Sequence, residues 1–229
     1  MRAESPGRPL AVDVALITGS AGLAAWLVAR AVTAVAGDRN APWILGRASG
    51  LGAYLLLVAL VGTGTLLAHP WSVRWRRPGP AARLRLHAGL AAFTLAFLVL
   101  HVVVLATDPY AKVGWWGAVL PMASQYRPAS VTLGVVGGWC GLIAGLTAAL
   151  AGRITRRFWW PLHRAAVGCF ILVWLHGVLA GSDTTALRAL YLLTAAALLI
   201  LATTRYAATS RADRMRQLPA RRPTAGGRP

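Results

Sequence analysis

Apolar residues occur along this chain in long unbroken runs, without the alternation of a half-buried strand or the narrow stripe of a surface helix. Six runs stand out, at about 10–36, 43–67, 85–106, 131–151, 159–180 and 185–205. Each is near or above the roughly 20 residues that cross about 30 Å of hydrocarbon at about 1.5 Å per residue. The pattern predicts an all-α integral membrane protein, a bundle of six transmembrane helices filling residues 1–206. The first run has a basic lead, Arg2 and Arg8. Its apolar stretch far exceeds the roughly 7–15 residues of a signal-peptide core, so it reads as an uncleaved span. The longest polar interval, about 107–130, holds Asp108, Tyr110, Trp115, Trp116 and Tyr126 and is expected to carry a short amphipathic segment. Residues 207–229 are rich in Arg, Pro and Gly and are expected to form a basic, disordered tail, the disorder setting in beyond Met215.

Composition agrees with the pattern. Of 229 residues, 57% are hydrophobic and 13% charged, against about 45–50% and about 25% in a soluble domain. Two cysteines exclude a disulfide-stapled scaffold. The net charge of +18 would suit nucleic acid only on a basic face of a soluble fold. Here the arginines sit between apolar runs, so anionic lipid is the expected partner and nucleic acid is not. With the N-terminus inside, the inner segments hold 18 of the 24 Lys and Arg. This asymmetry puts both termini in the cytoplasm. A single Lys among 24 basic residues reads as GC-rich coding and points to a bacterial plasma membrane. Trp43, Trp71, Trp75, Trp115, Trp116, Trp159 and Trp160 fall at span ends, where an interfacial belt belongs.

Ionisable residues at membrane depth mark function. His87 and His101 lie in the third run, and His163 and His176 in the fifth. Fourteen residues separate the first two, about 40° in azimuth and about 21 Å along the axis. Thirteen separate the second two, about 19.5 Å. Both runs cross from inside to outside, so His87 pairs in depth with His163, and His101 with His176. Neutral imidazole is a good iron ligand. Two imidazoles from facing helices make a six-coordinate haem b site, which favours electron transfer over oxygen binding. The expectation is two b haems between helices three and five, with the four histidines as axial ligands. The thirteen-residue spacing turns His176 about 140° from His163 on an ideal helix. Either the helix bends, with Gly168 available, or the two haems are rotated. A zinc site would want four ligands around one point, which pairs about 20 Å apart do not offer.

The spacing His87-x13-His101 and His163-x12-His176 resembles the ferric reductase-like transmembrane domain. That superfamily includes NADPH oxidases, ferric reductases and the haem-binding membrane subunit of the periplasmic methionine sulfoxide reductase system. Leu45-Gly46-Arg47-Ala48-Ser49-Gly50, Arg85-Leu86-His87 and His163-Arg164 support the resemblance, which covers about residues 40–206. It implies that His87 and His163 hold an inner haem, that His101 and His176 hold an outer one, and that electrons flow outward. It also puts Arg47 near the outer haem, and Arg85 and Arg164 near the inner one. There they either pair with propionates or snorkel to the interface. Many members carry a flavin and nucleotide domain after the sixth helix. Here about 23 residues follow it, with no Gly-x-Gly-x-x-Gly in a βαβ setting and no FAD or NAD(P) site expected. A separate cytoplasmic flavin reductase or membrane quinol is the expected donor. The acceptor is a periplasmic protein, ferric iron or oxygen. The competing readings are a haem-free transporter or structural membrane protein, and a terminal ferric reductase.

The remaining polar residues are read as structural. Cys140 and Cys169 pack within spans four and five. His69, before Pro70, belongs to a loop, with a donor or propionate contact as the alternative. Trp174 and Phe170 pack between helices or between haems. The basic 71–85 segment is expected to meet anionic headgroups or an acidic reductase. Gly141 and Gly145 form a small-residue step for close helix packing.

Overall fold

The computed structural model describes residues 41–70, 79–151, 153 and 155–217. The first expected span at 10–36, most of the basic 71–85 segment and the tail beyond 217 lie outside them. The chain divides into two units, 1–44 and 45–229. Of the first, only residues 41–44 are described, as the opening turn of a helix. The second is helical, with no strand among the described residues.

Six helices follow in order: α1 (Ala41–Leu67), α2 (Pro80–Thr107), α3 (Gly114–Val119), α4 (Pro128–Ala149), α5 (Arg156–Ala180) and α6 (Thr184–Gln217). All but the short α3 are long and apolar enough to cross a membrane. They match expected spans two to six. Prolines open α2 and α4, where a missing N–H costs nothing and φ is already helical. The six-residue α3 is the short segment expected in the 107–130 interval, with Trp115 and Trp116 exposed on it.

One boundary differs from expectation. α6 continues to Gln217, twelve residues past the expected end of the apolar run at 205 and two past Met215, beyond which disorder is expected. Ala, Arg, Met and Gln there are strong helix formers, so the helix outlasts the apolar run.

The polarity of the surface is that of a protein in lipid. Phe93, Val99, Ile171, Leu193, Leu199 and Ile200 are all at least half exposed on helix faces. Backbone groups are satisfied within the helices, as a hydrocarbon solvent demands.

Side-chain contacts link the long helices in a closed circuit. α1 meets α2 through Gly46 against Leu105 and Gly52 against Phe97. α2 meets α4 through Leu95 and Leu98 at Gly145 and Gly138. α4 and α5 pack most closely, with Gly137 against Val173. Trp174 of α5 donates its indole N–H to the Tyr191 carbonyl of α6 at 3.0 Å. α6 returns to α1, where Tyr54 and Thr194 hydroxyls hydrogen-bond and Arg205 Nε donates to the Ala68 carbonyl at 3.2 Å. The buried centre is Tyr54, Phe170 and Tyr191, with ring centroids 6.2 Å and 5.1 Å from Tyr54.

The two ends of the bundle differ. At the loop end, residues 108–127 are held onto α5. The Tyr126 hydroxyl donates to the Ala180 carbonyl at 2.9 Å, and Arg127 Nη1 to Leu179 at 2.7 Å. At the tail end lie Ala68, Arg205 and the start of α5.

Candidate functional site

The four histidines fall into two groups at opposite ends, paired as their depths in the sequence predict. His87 and His163 face each other at the tail end, with ring centroids 6.1 Å apart and planes at 80°. His101 on α2 and His176 on α5 lie at the loop end.

The tail-end separation can be tested against iron. A first-row metal bonds imidazole nitrogen at about 2.0–2.1 Å, so two trans ligands hold their ring centres roughly 6.3 Å apart. The observed 6.1 Å fits. Among the described residues, no three His, Cys, Asp or Glu side chains converge on one point.

Each ring is held by its surroundings. His101 Nδ1 lies 2.8 Å from the Gly46 carbonyl on α1. His176 Nδ1 lies 2.8 Å from the Ser130 carbonyl on α4. A carbonyl only accepts, so both rings carry their proton on Nδ1 and keep a lone pair on Nε2. That is the arrangement of a metal-ligating histidine, whose second nitrogen donates to a carbonyl or carboxylate. His87 Nδ1 is 3.3 Å from the Thr63 hydroxyl. That hydroxyl donates its hydrogen to the Leu60 carbonyl at 3.0 Å. It therefore accepts from His87, and the same tautomer results. His163 Nδ1 is buried and finds no partner among the described residues.

Three glycines make room for the rings. A Cβ on Gly50 would come within 2.7 Å of the His101 ring, and one on Gly134 within 2.8 Å of His176. A Cβ on Gly64 would come within 2.9 Å of His87. Gly50 and Gly64 are fourteen residues apart on α1, the same interval that separates His87 and His101 on the antiparallel α2. The equal spacing is a signal the sequence carried and one that was missed. The carbonyls of Gly46 and Ser130 were missed too, since any residue type supplies one.

The thirteen-residue spacing on α5 is met without a break in the helix, which is α throughout. His163 turns toward His87 of α2, and His176 toward Ser130 and Gly134 of α4. The large azimuthal step is expressed as two different neighbours.

The segment Leu45–Gly50 has several roles in the structure. Gly46 fits under Leu105 and offers its carbonyl to His101. Ser49 is buried and bonds back to the Leu45 carbonyl at 2.7 Å. Arg47 forms an ion pair with Asp183, in the link between α5 and α6. From sequence, Arg47 either pairs with a propionate or snorkels to the interface; in the structure it meets the Asp183 carboxylate. Arg85 and Arg164 are exposed near the tail-end pair, two residues before His87 and one after His163. His69 is buried at the tail end of α1. Cys140 and Cys169 are free thiols, Cys169 buried.

Searches of family models, characterised proteins and solved structures find no match to this chain.

Proposed function

We propose that the protein is a transmembrane cytochrome b that conducts electrons from a cytoplasmic flavin reductase or membrane quinol to an extracytoplasmic acceptor. In this reading His87 and His163 hold the inner haem, and His101 and His176 the outer one. The loop end then faces outward and the tail end the cytoplasm. Each haem, when bound, would supply a one-electron carrier. The chain's own residues supply orientation. Gly46, Ser130 and Thr63 fix three imidazole tautomers, while Gly50, Gly64 and Gly134 set the depth of three rings. Arg85 and Arg164 offer guanidinium groups to propionates on the cytoplasmic side. Arg47 stands at the outer end with Asp183 beside it.

The observation that carries the reading is the tail-end pair, whose 6.1 Å ring separation would suit two imidazoles sharing one iron. The same pair at the same end would be costly in lipid without such a role.

The test is haem content per chain with a reduced-minus-oxidised visible spectrum, on the native sequence and on His101→Ala and His163→Ala. About two b haems, with one lost in each variant, is the expected result. No haem after haem-supplemented expression overturns the proposal and leaves a haem-free transporter or structural protein.

A further inference from the structure

The two histidine pairs are supported unequally. At the loop end both Nδ1 atoms are anchored, each at 2.8 Å from a backbone carbonyl. Those carbonyls belong to helices α1 and α4, so they cannot turn away. At the tail end His87 has a longer contact, 3.3 Å, to the Thr63 hydroxyl, with the Leu60 carbonyl as a further partner of the ring. His163 Nδ1 has no partner among the described residues. Its ring instead lies beside Trp159, at 5.8 Å between centroids, which offers no acceptor.

A hydrogen bond from the non-ligating nitrogen to a carbonyl makes an imidazole a stronger electron donor to its metal. Stronger donation favours ferric over ferrous iron and lowers the potential, one of the protein's levers on a haem. It also removes the cost of choosing a tautomer on binding. Charge acts in the same direction. Arg85 and Arg164 lie near the tail-end pair, where cations favour the reduced state. At the loop end Arg47 is balanced by Asp183.

We infer that the loop-end pair, His101 and His176, is the preorganised site: its iron binds more tightly and has the lower potential of the two, and Thr63 is a positioning residue for the tail-end pair. This rests on the cytochrome reading for its haem, although the state of the histidines does not. A single such hydrogen-bond partner is worth about 10–100-fold in metal affinity. A ten-fold bias toward the ferric form corresponds to about 59 mV for one electron.

Two measurements test it. The first needs no haem. Nitrogen-15 NMR of histidine-labelled apoprotein in lipid bilayers reads the tautomer of each ring. His101 and His176 are expected to be protonated wholly at Nδ1, and His163 to populate both tautomers. Protonation of His101 or His176 at Nε2, or a single fixed tautomer at His163, overturns the preorganisation. The second is a potentiometric titration of the haem-loaded protein. Two waves are expected, separated by about 59 mV or more. Thr63→Val keeps the shape of the side chain and removes the acceptor, so it should raise the higher wave and leave the lower unmoved. Coincident waves, or a shift of the lower wave, overturn the assignment. Failure to bind haem would sink the cytochrome reading and the potential order together, while the tautomers would still decide the preorganisation.

Discussion

The imidazole of His176 rests on Gly134 so closely that a methyl group on that glycine would come within 2.8 Å of Nδ1. A contact this short cannot be kept, and the same ring is tied to Ser130 on the same helix. Gly134→Ala is therefore expected to displace His176 and, under the proposed cytochrome reading, to remove the outer haem while the inner is retained. Overpacking of this kind costs about 1–3 kcal/mol. Gly141→Ala is the control, since nothing lies within 4 Å of its added Cβ. It should keep both haems and gain up to about 1 kcal/mol from helix propensity. Haem per chain and thermal unfolding in detergent check both.

Arg47 and Asp183 join α1 to the α5–α6 link, each about a third exposed. A pair of that exposure contributes about 0.2–1 kcal/mol. A double-mutant cycle with Arg47→Gln and Asp183→Asn should find a coupling in that range. Redox titration separates this role from a propionate contact. If Arg47 balances Asp183 and no propionate, Arg47→Gln leaves an unbalanced carboxylate that lowers the proposed outer haem's potential, and Asp183→Asn leaves an unbalanced guanidinium that raises it by a similar amount. A larger shift for Arg47→Gln alone would restore the propionate role.

Tyr54 joins three helices, packing on Phe170 and Tyr191 and bonding Thr194. Tyr54→Phe removes only the hydroxyl, and Thr194 keeps its own bond to the Leu190 carbonyl. The expected cost is about 0.5–1.5 kcal/mol. Tyr54→Ala also empties the centre of the bundle and should cost about 3–5 kcal/mol. Equal losses in thermal unfolding would show that the ring itself contributes little.

Orientation can be read by labelling. Trp116 is 71% exposed on α3, and Thr209 is exposed on the last helix. After Cys140 and Cys169 are replaced by Ala, Trp116→Cys should react with an impermeant maleimide on spheroplasts. Thr209→Cys should react only after permeabilisation. The opposite pattern would invert the bundle and exchange the inner and outer histidine pairs.

Five apolar helices and the pairing of His87 with His163 were legible because they depend on quantities a sequence displays. Hydropathy is a sum over residues, and an imidazole in an apolar run needs no neighbour to be conspicuous. The supports for the four histidines were not legible in the same way. Gly46 and Ser130 act through carbonyls, which carry no residue identity. Gly134 is one of 24 glycines, and only its position against His176 sets it apart. Asp183 is distant in sequence from Arg47, and no periodicity joins them. The end of α6 was misjudged because the hydrophobic pattern stops where the membrane does, whereas helix propensity does not.

A helix leaves its last carbonyls without partners of its own. In α5, Leu179 and Ala180 receive donors from Arg127 and Tyr126. The helix therefore does not have to reach water to end. An unsatisfied carbonyl in hydrocarbon would cost several kcal/mol, but here the chain brings its own donors. At this end the 108–127 segment completes the helix from outside it, one turn beyond His176.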